Sequence, residues 1–307
     1  MRKLLVHVCT IALLLSPAAV NAAAVSPSVM ELNASVGEVI ESTFVILNTG
    51  VSEQTYFLDR LAFLPSGEDG TPMFIQDTET PFLSWLDFPL TEVDVPANSK
   101  VDVPFRVVVP DDIAAGSYWG AITASTAPTD VVTANGATIE SKTAVLVFLT
   151  VEGQSLEKLA LLDFMWEQED ASHPYGWLTY RLQNQGNVYL IPEGEIRIVG
   201  MFGQTIASLP ANESMGRVLP GSTRTFSVAY EKPDQGWLER AGIQFQTLAF
   251  GRITAEFALN YGETGAIEAA TPPVIVYPFE LLEFVGLVLV VILGLMLVAR
   301  TQFKKIS

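Results

Sequence analysis

The sequence predicts an all-β chain of two tandem β-sandwiches followed by a single C-terminal transmembrane helix. Three observations carry that expectation: short segments that alternate apolar with polar residues, a set of turn landmarks that occurs twice in the same order, and one uninterrupted apolar run near the end.

The alternation is clearest from Lys100 to Val109, where Val101, Val103, Phe105, Val107 and Val109 interleave with Lys100, Asp102, Pro104, Arg106 and Val108. Successive side chains of a strand point to opposite faces, so this pattern gives one buried face and one mostly wet face. Pro104 cannot donate to a ladder, which predicts an edge strand or a bulge. Val39 to Leu47, Leu178 to Leu182, Glu195 to Val199 and Thr223 to Tyr230 read as strands too, separated by Gly, Pro and Asn. No long amphipathic helix is read before the C-terminal run.

The repeated landmarks set the domain count. Leu47-Asn48-Thr49-Gly50 closes a strand in the first half, and Leu182-Gln183-Asn184-Gln185-Gly186 closes one in the second. Pro96 before Ser99 matches Pro220 before Ser222, Pro110-Asp111 matches Pro233-Asp234, and Gly116 matches Gly242 ahead of a strand. The asparagines are 136 positions apart, but the two proline pairs are 124 and 123 apart. The first repeat therefore carries about a dozen extra residues, placed between Gly50 and Pro96, and the boundary falls around Gly153-Gln154-Ser155.

Each end has its own signature. Met1-Arg2-Lys3, the apolar stretch from Leu4 to Leu15 and the small residues Ala22-Ala23-Ala24 predict a secretory signal peptide. Phe284 to Ala299 is continuously apolar, extended outward by Leu281-Leu282, with Tyr277 and Phe279 at the outer interface. Arg300, Lys304 and Lys305 follow, so the positive-inside rule puts the tail in the cytoplasm and everything before Pro278 outside. The expected divisions are a signal peptide over 1–24, a first sandwich over 25–153, a second over 156–265, a linker over 266–278, the transmembrane helix over 279–299 and a cytoplasmic tail over 300–307. The protein is expected in the cell membrane as a single-pass chain, its two domains extracellular or periplasmic.

Composition excludes several classes of chemistry. Arg2, Lys3, Arg300, Lys304 and Lys305 lie at the two ends, which leaves 12 basic against 34 acidic residues between them, a formal charge of −22. Such a surface repels nucleic acid and anionic lipid. Solubility explains it, as would a basic partner or bound calcium. Cys9 leaves with the signal, so the mature chain has no thiol, and its only histidine is His173. One chain cannot then assemble a His/Cys zinc site or a thiol nucleophile. A serine triad would hang on His173, in the turn-like stretch from Asp170 to Pro174. No cofactor is implied.

The extra segment between Gly50 and Pro96 holds a Gly- and Pro-rich turn around Glu68-Asp69 and then Phe74, Phe82, Trp85 and Phe88. Glu68-Asp69 lacks the regular oxygen spacing of a calcium loop. Insertions on a sandwich are common places for binding, whereas the same aromatics would also close one end of a core. In Ser117-Tyr118-Trp119-Gly120, Tyr118 shares a face with Ile122 and is the expected interior residue. Trp119 points the other way, either to a ligand or beneath the insertion, against Trp85 or Phe88. The candidate binding residues are thus Trp119, Trp85, Phe88 and Phe82.

Val95-Pro96-Ala97-Asn98-Ser99-Lys100, Val109-Pro110-Asp111-Asp112 and Gly116-Ser117-Tyr118-Trp119-Gly120 resemble the first domain of the WxL-interacting proteins, cell-surface proteins of Gram-positive bacteria. Gln185-Gly186-Asn187-Val188, Pro192-Glu193-Gly194, Val218-Leu219-Pro220-Gly221-Ser222 and Asn260-Tyr261-Gly262 resemble their second. The resemblance implies two immunoglobulin-like domains, a peptidoglycan-binding first and a partner-binding second, with one C-terminal helix. It implies a non-catalytic, membrane-anchored binding or scaffold protein that engages cell-envelope glycan or surface proteins. The alternative is a pilus- or secretion-type assembly factor that binds by strand addition, which requires an open sheet edge. An accessory or catalytic glycan hydrolase, with two carboxylates flanking a sugar cleft, is the third possibility.

Overall fold

The computed structural model describes residues 23–75, 80–127, 142–232 and 234–306, with side chains to 300. The expected signal peptide lies outside the described residues as far as residue 22. Chain contacts divide the protein into two compact units, the first built from residues up to Leu64 and from Met73 to Gln154, the second from Pro65–Pro72 and Ser155 onward.

The first unit holds β1 (Ala23–Ser26), β2 (Val29–Ala34), β3 (Val39–Asn48), β4 (Gln54–Ser66) as far as Leu64, β5 (Thr71–Ile75) from Met73, a short helix α1 (Pro81–Trp85), β6 (Leu86–Asp87), β7 (Glu92–Val95), β8 (Ser99–Val108), β9 (Gly116–Ser125) and β10 (Lys142–Val151). One sheet has the order β1-β3-β8-β6, the other β2-β10-β9-β4-β5 with β7 also on β4. Pro27 has no N–H to give a ladder, and there the chain changes sheets: β1 runs antiparallel to β3, and β2 parallel to β10. The alternation read over β8 is present, with Val103, Phe105, Val107 and Val109 buried. On its far side β8 meets β6 only at Arg106 and Val107, which leaves Pro104 on an edge. Phe44, Ile46, Tyr56, Leu86, Ile122 and Leu149 fill the space between the sheets.

The second unit contains β11 (Leu159–Gln168), β12 (Gly176–Asn184), β13 (Glu193–Val199), β14 (Thr205–Pro210), β15 (Thr223–Tyr230), the helix α2 (Trp237–Thr247), β16 (Gly251–Tyr261), β17 (Gly265–Ala270), β18 (Val274–Val276) and the helix α3 (Phe279–Ile306). Its sheets are β11-β12-β15 and β14-β13-β16-β17, with β18 also on β16. Tyr180 sits at the centre, stacked on Phe226 at 4.9 Å and tilted on Phe257 at 4.7 Å, its hydroxyl donating to the Ala211 carbonyl. Burial holds its phenol well above the usual tyrosine range. Within α3, Phe279–Arg300 is long and apolar enough to cross a membrane.

The paired landmarks do the same work in each unit. Asn48 Oδ1 accepts from the Gly50 N–H, while its Nδ2 donates to the carbonyls of Ser52 and Val95. Asn184 Oδ1 accepts from Gly186, and its Nδ2 donates to Val188 and Val218. In each case the asparagine ties a strand end to a turn and to the segment that opens a later strand, satisfying backbone groups that burial would otherwise strand.

Three expectations need correction. Residues 266–278 are no linker: β17 and β18 both pair with β16. β17 is mostly Ala and Glu and carries little hydrophobic signal, and Val274–Val276 of β18 is only three residues long, yet the ladder bonds require only backbone. A helix, α2, does precede the C-terminal run, and it contains Gly242. The counterpart of Gly116 at the head of a strand is therefore Gly251, which opens β16.

Candidate functional site

The four aromatic residues expected to bind do not converge on a surface. Phe82 and Trp85 are only 1% and 4% exposed, within the core of the first unit. Pro81 starts α1 with no N–H to lose, and the helix presses Phe82 and Leu83 onto β9. A Cβ on Gly120 would stand 3.0 Å from both side chains, so glycine permits the close approach. Trp85 packs on Tyr118 with ring centroids 4.6 Å apart and on Phe82 at 5.7 Å. Phe88 is half-buried against the same core, with the Arg60 guanidinium 6.0 Å from its ring. Tyr118 takes the core face as expected, and its hydroxyl donates to the Ala114 carbonyl.

Trp119 lies on the face of β9 opposite Tyr118, on which Trp85 packs, and is half-buried. Its Nε1 donates to the Phe63 carbonyl at 3.0 Å, and in register beside it stands Phe148, edge-on to Phe63 at 5.8 Å. Phe82 and Trp85 are thus withdrawn as ligand contacts, because burial leaves them nothing to touch but core. The indole N–H of Trp119 is committed to the fold. A calcium role for Glu68 is displaced as well: Arg181 meets its carboxylate at 2.5 Å and Thr225 Oγ1 donates to it at 3.0 Å.

A groove of about 1010 Å³ opens in the second unit between the end of β14 and the outer edge of β15, lined by Leu209 to Ser214, Asp69 and Arg224 to Glu231. One wall is held by Asn212, whose Nδ2 donates to the carbonyls of Pro192 and Gly216 and whose Oδ1 accepts from the Gly216 N–H. The other wall is the edge itself. The Asn184 N–H donates to the Ser222 carbonyl, so the even-numbered residues of this strand turn their peptide groups toward β12. Odd-numbered residues turn theirs outward. The Thr225 N–H accordingly points away from the sheet and donates to the Glu68 carbonyl at 2.6 Å. Beyond it the outward peptide groups of Ser227 and Ala229 have no partner among the described residues. Phe226 is buried beneath this strand, while Tyr230, its phenol pushed up to about 12 by burial and then by Tyr175, lies at the far end.

The arrangement presents donors and acceptors at strand spacing beside an open channel, and can take an extended chain as a further strand. The sequence showed β15 as a strand but gave no sign that it is an edge. The Glu68 contact has a pH consequence. Hydrogen bonds from Arg181 and then Thr225 hold the Glu68 carboxyl below its usual value. Its folded pKa being depressed, its contribution to stability is present above the unfolded carboxylate pKa, and is lost as pH falls through the lowered folded value. Glu68→Gln is expected to flatten the acid limb of unfolding from roughly pH 4.5 downward, measured by urea denaturation across pH.

No family model matches the chain, and no curated protein does. Among solved structures it is similar to the class 5 fimbriae chaperone CfaA, at 11% identity and a TM-score of 0.40, over 82% of this chain and 100% of that one. The CsuC–CsuE complex of Acinetobacter baumannii matches at 10% identity and a TM-score of 0.38, over 81% and 97%. The CupB2 chaperone of Pseudomonas aeruginosa matches at 11% and 0.35, over 80% and 98%. Likeness at this level carries no argument about what the present chain does.

Proposed function

We propose that this protein is a non-catalytic, membrane-tethered binding factor that accepts an extended segment of a partner protein on the edge of β15, in the manner of an assembly factor. The observation that carries the reading is the outward pair of peptide groups at Ser227 and Ala229, beside a groove of about 1010 Å³. Main-chain pairing of this kind supplies affinity, and the pockets on either side select side chains. That the Thr225 N–H already makes a main-chain contact with Glu68 supports the same use of the edge. Two immunoglobulin-like sandwiches held outside the membrane by α3, with Arg300, Lys304 and Lys305 on the cytoplasmic side, complete the reading. It fits the partner-binding role that resemblance to the WxL-interacting proteins implies for the second half.

A photo-crosslinking p-benzoylphenylalanine at the exposed Ser227 tests the reading in living cells. A discrete adduct is expected with the otherwise unaltered chain, and its loss is expected when Ala229→Pro is added. Proline removes only an outward N–H that the sheet does not use, so stability should change by about 1 kcal/mol or less. Absence of an adduct, or one that survives the proline, would leave the edge without a role in binding.

A further inference from the structure

The helix α2 presents two faces with different partners. Its inner face is polar and pinned. Arg240 Nε donates to Glu280 Oε1 at 2.7 Å, and His173 Nε2 lies 3.4 Å from the same oxygen. The Gln244 side chain donates to the Ser172 carbonyl at 2.9 Å and accepts from the Leu281 N–H at 3.3 Å. These contacts fix α2 against the first turn of α3.

The adjoining face is apolar, with Leu238 and Phe245 exposed and Ala241 buried. Leu238, Ala241, Gly242 and Phe245 follow the i, i+3, i+4, i+7 spacing of a single helical stripe. They face Leu281, Phe284 and Val285 across a recess of about 220 Å³. A Cβ on Gly242 would meet nothing within 4 Å, so the stripe has a gap there. Leu238 is 54% exposed, Phe245 65% and Trp237 43%.

Position says what covers this face. At about 1.5 Å per residue, Leu281 to Val285 occupy roughly the first 3 to 9 Å of the apolar span that begins at Phe279. Interfacial helices bury their apolar face to a depth of about 5 to 10 Å. At the entrance to the span the rings of Tyr277 and Phe279 stack with centroids 5.8 Å apart, both half exposed, as aromatic residues do at a membrane–water interface.

We infer that α2 is an interfacial helix that beds Leu238 and Phe245, with Trp237 at its end, in the lipid leaflet from which the second unit emerges, an acyl chain filling the recess between α2 and α3. The inference rests on α3 crossing the membrane. Attraction is to hydrocarbon rather than to headgroup charge, since Arg240, the one basic residue on α2, is already paired with Glu280. The surface unit is then held by a span and a flanking helix together, which restrains its tilt at the membrane.

Single cysteines at Leu238, Phe245, Glu239 and Leu293, introduced in a Cys9→Ser background of the full chain, are nitroxide-labelled in nanodiscs of phosphatidylethanolamine and phosphatidylglycerol. Collision rates with oxygen, which partitions into lipid, are compared with those of a water-soluble nickel chelate. Labels at 238, 245 and 293 are expected to favour oxygen several-fold over the label at 239. If the label at 293 does not favour oxygen, α3 does not span and the inference falls with that reading. If 293 favours oxygen while 238 and 245 favour nickel, or are shielded from both reagents by protein, the span stands and the interfacial role of α2 is overturned.

Discussion

Replacing Trp85 with alanine is expected to cost the first unit about 3–5 kcal/mol, the range for deleting a large buried aromatic side chain. The indole is buried against Phe82 and Tyr118, and its loss would leave a cavity in the core of the first unit. Trp119→Ala should cost less, about 1–2 kcal/mol, because Trp119 is half-buried and gives up one hydrogen bond to the Phe63 carbonyl. Chemical denaturation of the whole chain, following the transition of the first unit, separates the two. A Trp85→Ala chain as stable as the parent, but unable to bind an envelope component, would restore Trp85 to a binding surface.

The second large effect is expected at the paired asparagines. Asn48 and Asn184 are each 1% exposed, and each gives both donors to backbone carbonyls while its oxygen takes a backbone N–H. Asn184→Ala strands the Val188 carbonyl and the Gly186 N–H and removes one of two bonds from the Val218 carbonyl, which keeps the Leu190 N–H, and a buried group left without its partner costs about 1–3 kcal/mol. Some relaxation toward water is expected, so a loss of about 2–4 kcal/mol from the second unit follows, and Asn48→Ala should do the same to the first. Aspartate should not rescue either site: it keeps the acceptor for the N–H two residues on, loses the donors and sets a carboxylate against two carbonyls. Urea unfolding of the four variants checks this. An aspartate variant at neutral pH as stable as the parent would show that the donated bonds contribute nothing.

Much of the fold was legible because a strand reports its own faces. The alternating residues of β8 named the buried set from Val103 to Val109, and the same logic placed Tyr118 inward and Trp119 outward. The asparagine landmarks were legible because only a side chain with both donor and acceptor can serve a strand end and two neighbouring segments at once. The apolar run of α3 needed no context either, since its length and the basic residues after it are properties of the chain alone.

What the sequence could not decide is who stands beside whom. Alternation reports the direction perpendicular to a sheet, whereas an edge is defined in its plane by the neighbour that is absent, so the open side of β15 appears only when β12 is placed on its other side. Trp85 looked like an insertion aromatic free to bind, and became core because α1 folds onto Gly120. The stripe of α2 was present in Leu238, Ala241, Gly242 and Phe245, but Gly242 read as the break before a strand. An 11-residue helix is marginal on propensity alone. It is held through Arg240 and Gln244 by Glu280, Ser172 and His173, groups that only tertiary packing brings to the helix from distant parts of the chain.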